Sequence, residues 1–170
     1  MTTNTVDAAT DAEMRSLIAY LNAERGAVLA IIDGLDEDKL RTPIVPTGWT
    51  PIGLIWHLGG AEMYWFQIVV AGRLPEDDSG DDGPGAPFVT DEPIADVIAN
   101  YRAQCRQSDE ILASVSLSDR PHGPVDPNMA DLSTDVRTIA LHMIEETARH
   151  AGHLDIAREL LDGATGLGPR

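Results

Sequence analysis

The side chains best suited to chemistry in this chain are its five histidines, His57, His122, His142, His150 and His153. Three of them share the segment LHMIEETARHAGHLDIARELL with Glu146. Glu146 and His150 are spaced i, i+4, which on a helix puts both side chains on one face, one turn apart. At about 100° per residue, the apolar stripe of this helix centres on Val136, Met143, Thr147, Leu154 and Leu161. His150 then falls within roughly 20° of the centre and Glu146 within roughly 60°. A carboxylate so close to a core is costly unless it is hydrogen-bonded or paired with a cation. One divalent metal shared by Glu146 and His150 would remove that cost. A third donor must come from another helix, and His57, in the apolar run LIWHL, is the candidate. Two histidines and a glutamate around an open position are the ligand set of catalytic zinc sites. The competing reading is a plain His–Glu hydrogen bond, with His57 a satisfied core residue.

The remaining polar residues sort around this trio. His153 and His142 lie near the edge of the buried face, at roughly 80° and 100° from its centre. His153 is expected to support or rim the site, and His142 is a rival ligand. His122 sits in a proline-rich loop and is expected to face solvent, and Arg149 points outward. Glu62 projects into an apolar stripe and needs a partner, either a histidine ring N–H or one of Arg102 and Arg158. Cys105 is the only cysteine, so the chain has no internal disulfide, no cysteine zinc site and no CxxC pair. It lies on the inner stripe of its helix and reads as a small core residue, not a nucleophile.

Four helices must position these groups. The first is expected from about Asp11 to Gly34, with Met14, Leu17, Leu21, Val28 and Ile32 on one stripe. The second starts at Thr50 as cap and Pro51 as first residue, and runs to Gly72. It is apolar nearly all round, which predicts one face in the core and another in a subunit interface. The third runs from Asp91–Pro93 to about Val115. The fourth starts at Ser133 or Thr134, with Asp135 in its first turn, and ends at Gly163. The segment PEDDSGDDGPGAP, residues 75–87, is expected to be an exposed, mobile loop, since its five acids lack the ligand spacing of a calcium loop. A second long loop spans Ser116 to Leu132. These elements predict an all-α four-helix bundle, one domain over residues 1–170 with its core at about 10–163.

Composition narrows the function. The 170 residues carry 28 acidic and 12 basic side chains, a formal charge of −16, with 43% hydrophobic residues. Phosphate contacts need clustered basic residues, so nucleic acid is disfavoured as a partner, and so is an anionic membrane surface. The basic residues are eleven Arg and one Lys, Lys39, a bias that suggests a GC-rich genome. A halophilic origin is the competing explanation of the acidity. The N-terminus has neither a basic nor an apolar region, so no signal peptide and a cytoplasmic location are expected.

The string TGWTPIGLIWHLGGAEMYWF, with EETARHAGHLDIARELLDG much later, resembles the DinB-like superfamily. Within it, the similarity is to an actinobacterial branch of uncharacterised proteins related to mycothiol-dependent maleylpyruvate isomerases. The second motif carries Glu146, His150, Gly152, His153 and Arg158 in order. The resemblance covers residues from about 10 to 163. It implies a DinB four-helix bundle and a homodimer. It also implies a metal site of His57 from the second helix with Glu146 and His150 from the fourth. Many members have His where this chain has Glu146, and the isomerase-like branch has Glu. The C-terminal domain of the full-length isomerases does not follow in this sequence. The implied activity is transfer of a low-molecular-weight thiol, mycothiol or bacillithiol, to an electrophilic small molecule, with Zn²⁺ or Ni²⁺ bound. His153 and Arg158 would line or support the site. Two further functions compete. One is a non-catalytic, metal-binding stress-response bundle. The other is a metal-dependent hydrolase with Glu62 or His153 as base.

Overall fold

The first turn of the helix that carries His57 is set by local chemistry. The Thr50 hydroxyl accepts the Gly53 N–H at 3.1 Å, and Pro51 occupies the first helical position, where a missing N–H costs nothing. In a computed structural model of the chain, residues 3–73 and 88–165 are described. Helix α1 spans Thr3–Ile32, α2 Glu37–Leu40, α3 Pro51–Glu62, α4 Ile94–Leu112 and α5 Val136–Asp162. There is no strand among the described residues. The four long helices form the expected all-α bundle. Helix α1 packs along α5 and α3 along α4, while α3 faces α5 more loosely and α1 barely meets α4.

The helix ends depart from expectation in small, explicable ways. Helix α1 begins at Thr3, ahead of Asp11, because its first turns lack the apolar periodicity that marks the rest. Asp36 caps the extra turn α2 by accepting the Lys39 N–H. Asp135 is the cap of α5, not a residue of its first turn: its carboxylate accepts the Thr138 N–H at 2.8 Å. Gly34 and Gly163 close α1 and α5 with φ of 76° and 78°. The second long loop holds a 3₁₀ turn, Pro127–Leu132, capped by Asp126. The acidic segment 75–87 lies outside the described residues.

Helix α3 does not stop at Glu62. It widens into a π-helical segment, Met63–Val70, which puts Trp65, Phe66, Val69 and Val70 into the core. Its last carbonyls are taken by the second long loop, between α4 and α5, with His122 N–H donating to Val70 O and Gly123 N–H to Val69 O. A Cβ at Gly123 would lie 1.9 Å from the Ile68 carbonyl oxygen, so only glycine lets the loop dock there. Within the single chain, Trp56 and Met63 are exposed on the face turned away from the core. Among the described residues, no helix is long and apolar enough to cross a membrane.

The core divides into two apolar layers. One gathers Val28, Ile31, Ile52, Ile55, Leu58, Tyr101 and Leu154. The other gathers Leu21, Phe66, Val69, Leu112, Ile139 and Met143. In sequence, each of the four long helices crosses from one to the other through polar residues: Arg25 on α1, Glu62 on α3, Ser108 on α4, and Thr147 and His150 on α5. A polar layer therefore runs across the middle of the bundle. Such groups are tolerated in an interior only when hydrogen-bonded, and their partners decide what the layer can do.

Candidate metal centre

Where α3 faces α5, the helices bring His57, Glu146 and His150 together. The His150 and His57 Nε2 atoms lie 2.9 and 3.2 Å from the same oxygen, Glu146 Oε1. One ligand atom from each residue falls within 4.8 Å of the others. Glu146 and His57 are half-buried and His150 is buried. Hydrogen bonds from His150 and then His57 hold the Glu146 carboxyl well below the usual carboxylate range, against burial, which acts the other way. Glu146 is thus an anion that gathers two imidazole nitrogens onto one point. The second oxygen, Oε2, lies 3.8 Å from the exposed Arg149.

Each ligand candidate is oriented by something else. The His57 ring stacks on Phe88, with centroids 3.9 Å apart and planes 14° from parallel. Phe88 is brought there by the Thr50 N–H, which donates to its carbonyl at 3.1 Å. Gly53 makes the crossing possible, since a Cβ there would meet the Phe88 oxygen at 1.9 Å. His150 Nδ1 lies 3.3 Å from His153 Nδ1. When His150 presents Nε2 as a lone pair, its Nδ1 carries the proton and His153 accepts it, which fixes the tautomer. A neutral His153 suits that role. Burial, followed by the charges of His150 and Arg149, holds its pKa below the ordinary imidazole value.

The donor set fits a divalent cation such as Zn²⁺. It offers two imidazole nitrogens and a carboxylate with low proton affinity, one bonding sphere apart, with fewer protein donors than a closed structural site. His57, Glu146 and His150 would hold the ion.

A family model described as Mycothiol-S-transferase matches residues 16–163, which includes all three. The chain belongs to the mycothiol S-transferase family. That family falls within the DinB-like superfamily, in keeping with the four-helix architecture. No curated protein and no solved structure matches the chain.

Three other residues sit away from their expected places in this mycothiol S-transferase relative. Arg158 does not reach the site. Its guanidinium donates to the carbonyls of Ile31 and Asp33 at 2.7 and 2.6 Å and to Asp162, so it ties α5 to the end of α1. Glu62 meets none of its expected partners. Arg25 donates to both of its oxygens, at 2.7 and 2.6 Å. His142 stacks edge-on against Trp65 at 4.8 Å, outside the ligand trio. The His122 side chain is exposed, as expected. Cys105 is half-buried and its thiol is pushed up to about 12, chiefly by burial, which suits a structural residue. Two participants escaped the sequence reading. Phe88 has no spacing to tie it to His57. Arg25 carries a visible signal, since it sits between Leu21 and Val28 on the inner stripe of α1, where a charge must find a partner.

Proposed function

We propose that the chain is a divalent-metal-dependent S-transferase that joins mycothiol, or a similar low-molecular-weight thiol, to an electrophilic small molecule. The observation that carries this is the convergence of His57 and His150 Nε2 on one Glu146 oxygen in a mycothiol S-transferase family member. A divalent cation held by this trio supplies a Lewis acid that lowers the pKa of a thiol reaching it, so the thiol acts as a thiolate near neutral pH. Glu146 supplies the negative charge that orders the donor set. His153 holds the His150 tautomer, and Phe88 fixes the plane of His57. The protein needs no nucleophile of its own, which agrees with Cys105 being protonated and half-buried. We take Zn²⁺ as the resident ion with Ni²⁺ as an alternative, a cytoplasmic location, the actinobacterial branch of the superfamily, and a homodimer that covers Trp56 and Met63 on the outer face of α3.

The test is conjugation of mycothiol to a halogenated dinitrobenzene by metal-loaded protein. Thiol-dependent turnover is expected. His150→Ala is expected to lose both stoichiometric metal on elemental analysis and turnover while keeping its helical circular dichroism. Full metal content in that variant would overturn the ligand assignment. Absence of turnover across several thiols would favour the non-catalytic bundle. Turnover without thiol would favour a hydrolase with His153 as base, since Arg25 already occupies both oxygens of Glu62.

A further inference from the structure

On a different helix pair, α1 and α4, the bundle leaves a cavity of about 280 Å³. Leu29, Gly26, Tyr101 and Cys105 give it an apolar lining, and Asn22, Arg102 and Arg106 are its polar members, together with the paired Arg25 and Asp109. This volume is at the small end for ligand pockets, suited to a molecule of a dozen or so heavy atoms.

The charges in the cavity do not balance. Arg25 is committed to Glu62, Asp109 and the Asn22 side chain, with every contact at 2.6–2.7 Å. Arg102 and Arg106 are exposed and have no ion pair or hydrogen bond among the described residues. Among the described residues, the lining holds three guanidiniums and one carboxylate, Asp109, with Glu62 as a further partner of Arg25, a local excess of positive charge in a chain of net charge −16. The two arginines are also spaced i, i+4, where like charges repel. An anion between them relieves that repulsion, and a planar guanidinium suits a carboxylate in particular.

We propose that this cavity binds a small organic acid, its carboxylate between Arg102 and Arg106 and its apolar body against Leu29 and Tyr101. The site is separate from the metal centre, which lies between α3 and α5, and does not depend on the S-transferase reading.

The test uses the full chain, metal-loaded as purified, titrated with benzoate and followed by amide chemical shifts. Benzoate is expected to shift residues 22–29 and 101–109 saturably, with a Kd of about 1 mM or tighter. Benzamide, which has the same ring without the charge, is expected to bind about tenfold more weakly. The double substitution Arg102→Ala with Arg106→Ala is expected to lose about tenfold or more. The double lysine substitution at these positions should keep part of the affinity, because the charge remains and the fork geometry does not. Both arginines are exposed, so these variants are expected to fold. Three results would each overturn the proposal: no saturable shift at these residues, equal binding of benzamide, or unchanged binding by the alanine double variant.

Discussion

Glu62 and Glu146 lie in the same polar layer of the bundle and are neutralised in opposite ways. Glu62 is fully buried, and a buried guanidinium grips both of its oxygens. Arg25 in turn donates to Asn22 and Asp109. Burial opposes its charge, yet the hydrogen bonds and field of Glu62 outweigh burial and raise its pKa. The cation of that cluster is a guanidinium, which does not give up its proton or offer a lone pair. Glu146 is half-buried, and its partners are imidazoles that can give up a proton and offer a lone pair instead. A buried carboxylate demands a cation in both places. Only where the partners can themselves become ligands does the demand create a site. Arg25 makes Glu62 architecture, whereas His57 and His150 leave Glu146 with partners that could share a metal ion with it.

The strongest way to break this comparison is Arg25→Met. Stranding the Glu62 charge is expected to cost about 3–5 kcal/mol in chemical denaturation. Replacing both partners, Arg25→Met with Glu62→Leu, should recover most of that loss, because burial of the unpaired charge is the penalty. A mild effect of the single variant would mean that Glu62 takes up a proton or water readily and that the two clusters do not differ. His153→Phe sharpens the other side. Metal affinity, measured by competition with a chelator, is expected to fall about 10–100-fold, with little change in the stability of the metal-free protein. Cys105, which lines the same cavity as Arg25, probes that side of the comparison. Alkylation in native protein is expected to run roughly 30-fold or more below a free cysteine, since a small thiolate fraction outweighs higher nucleophilicity. Denaturant should abolish the difference. The smallest effect is expected from Asp135→Ala, which removes the cap of the helix bearing Glu146 and His150, at about 1 kcal/mol near neutral pH. The Thr138 backbone hydrogen bond holds the folded-state pKa of Asp135 below its ordinary value. Its contribution is therefore present above the unfolded-state pKa and lost as the pH falls through the folded-state value. The two proteins should converge in stability in acid.

Much of this was legible in the sequence, for identifiable reasons. The i, i+4 spacing of Glu146 and His150 fixes their shared face whatever the rest of the fold does. Thr50, Pro51 and Gly163 mark helix ends by local chemistry alone. What was not legible depends on pairings between distant segments. Arg25 and Glu62 are separated by 37 positions, and either could have met other partners. Arg158 follows the His motif so closely that it reads as part of the site, yet its length takes it to the end of α1. Phe88 reaches His57 only because a loop crosses α3 at Gly53, a close approach that no periodicity encodes.

The π-helical segment after Glu62 has a consequence for how α3 tolerates change. An i→i+5 hydrogen bond holds one residue more per closed ring than the ordinary helix, as in the Ala71 N–H to Phe66 O contact. The segment thus acts as a phase shifter, letting the stretch that bears His57 and the stretch that bears Phe66 and Val69 each face their own neighbours. Deleting one residue between Met63 and Val70 would return the helix to a single phase and turn one stretch by about 100° relative to the other. Length polymorphism should therefore be rare at this point of the chain, even where the residue types vary.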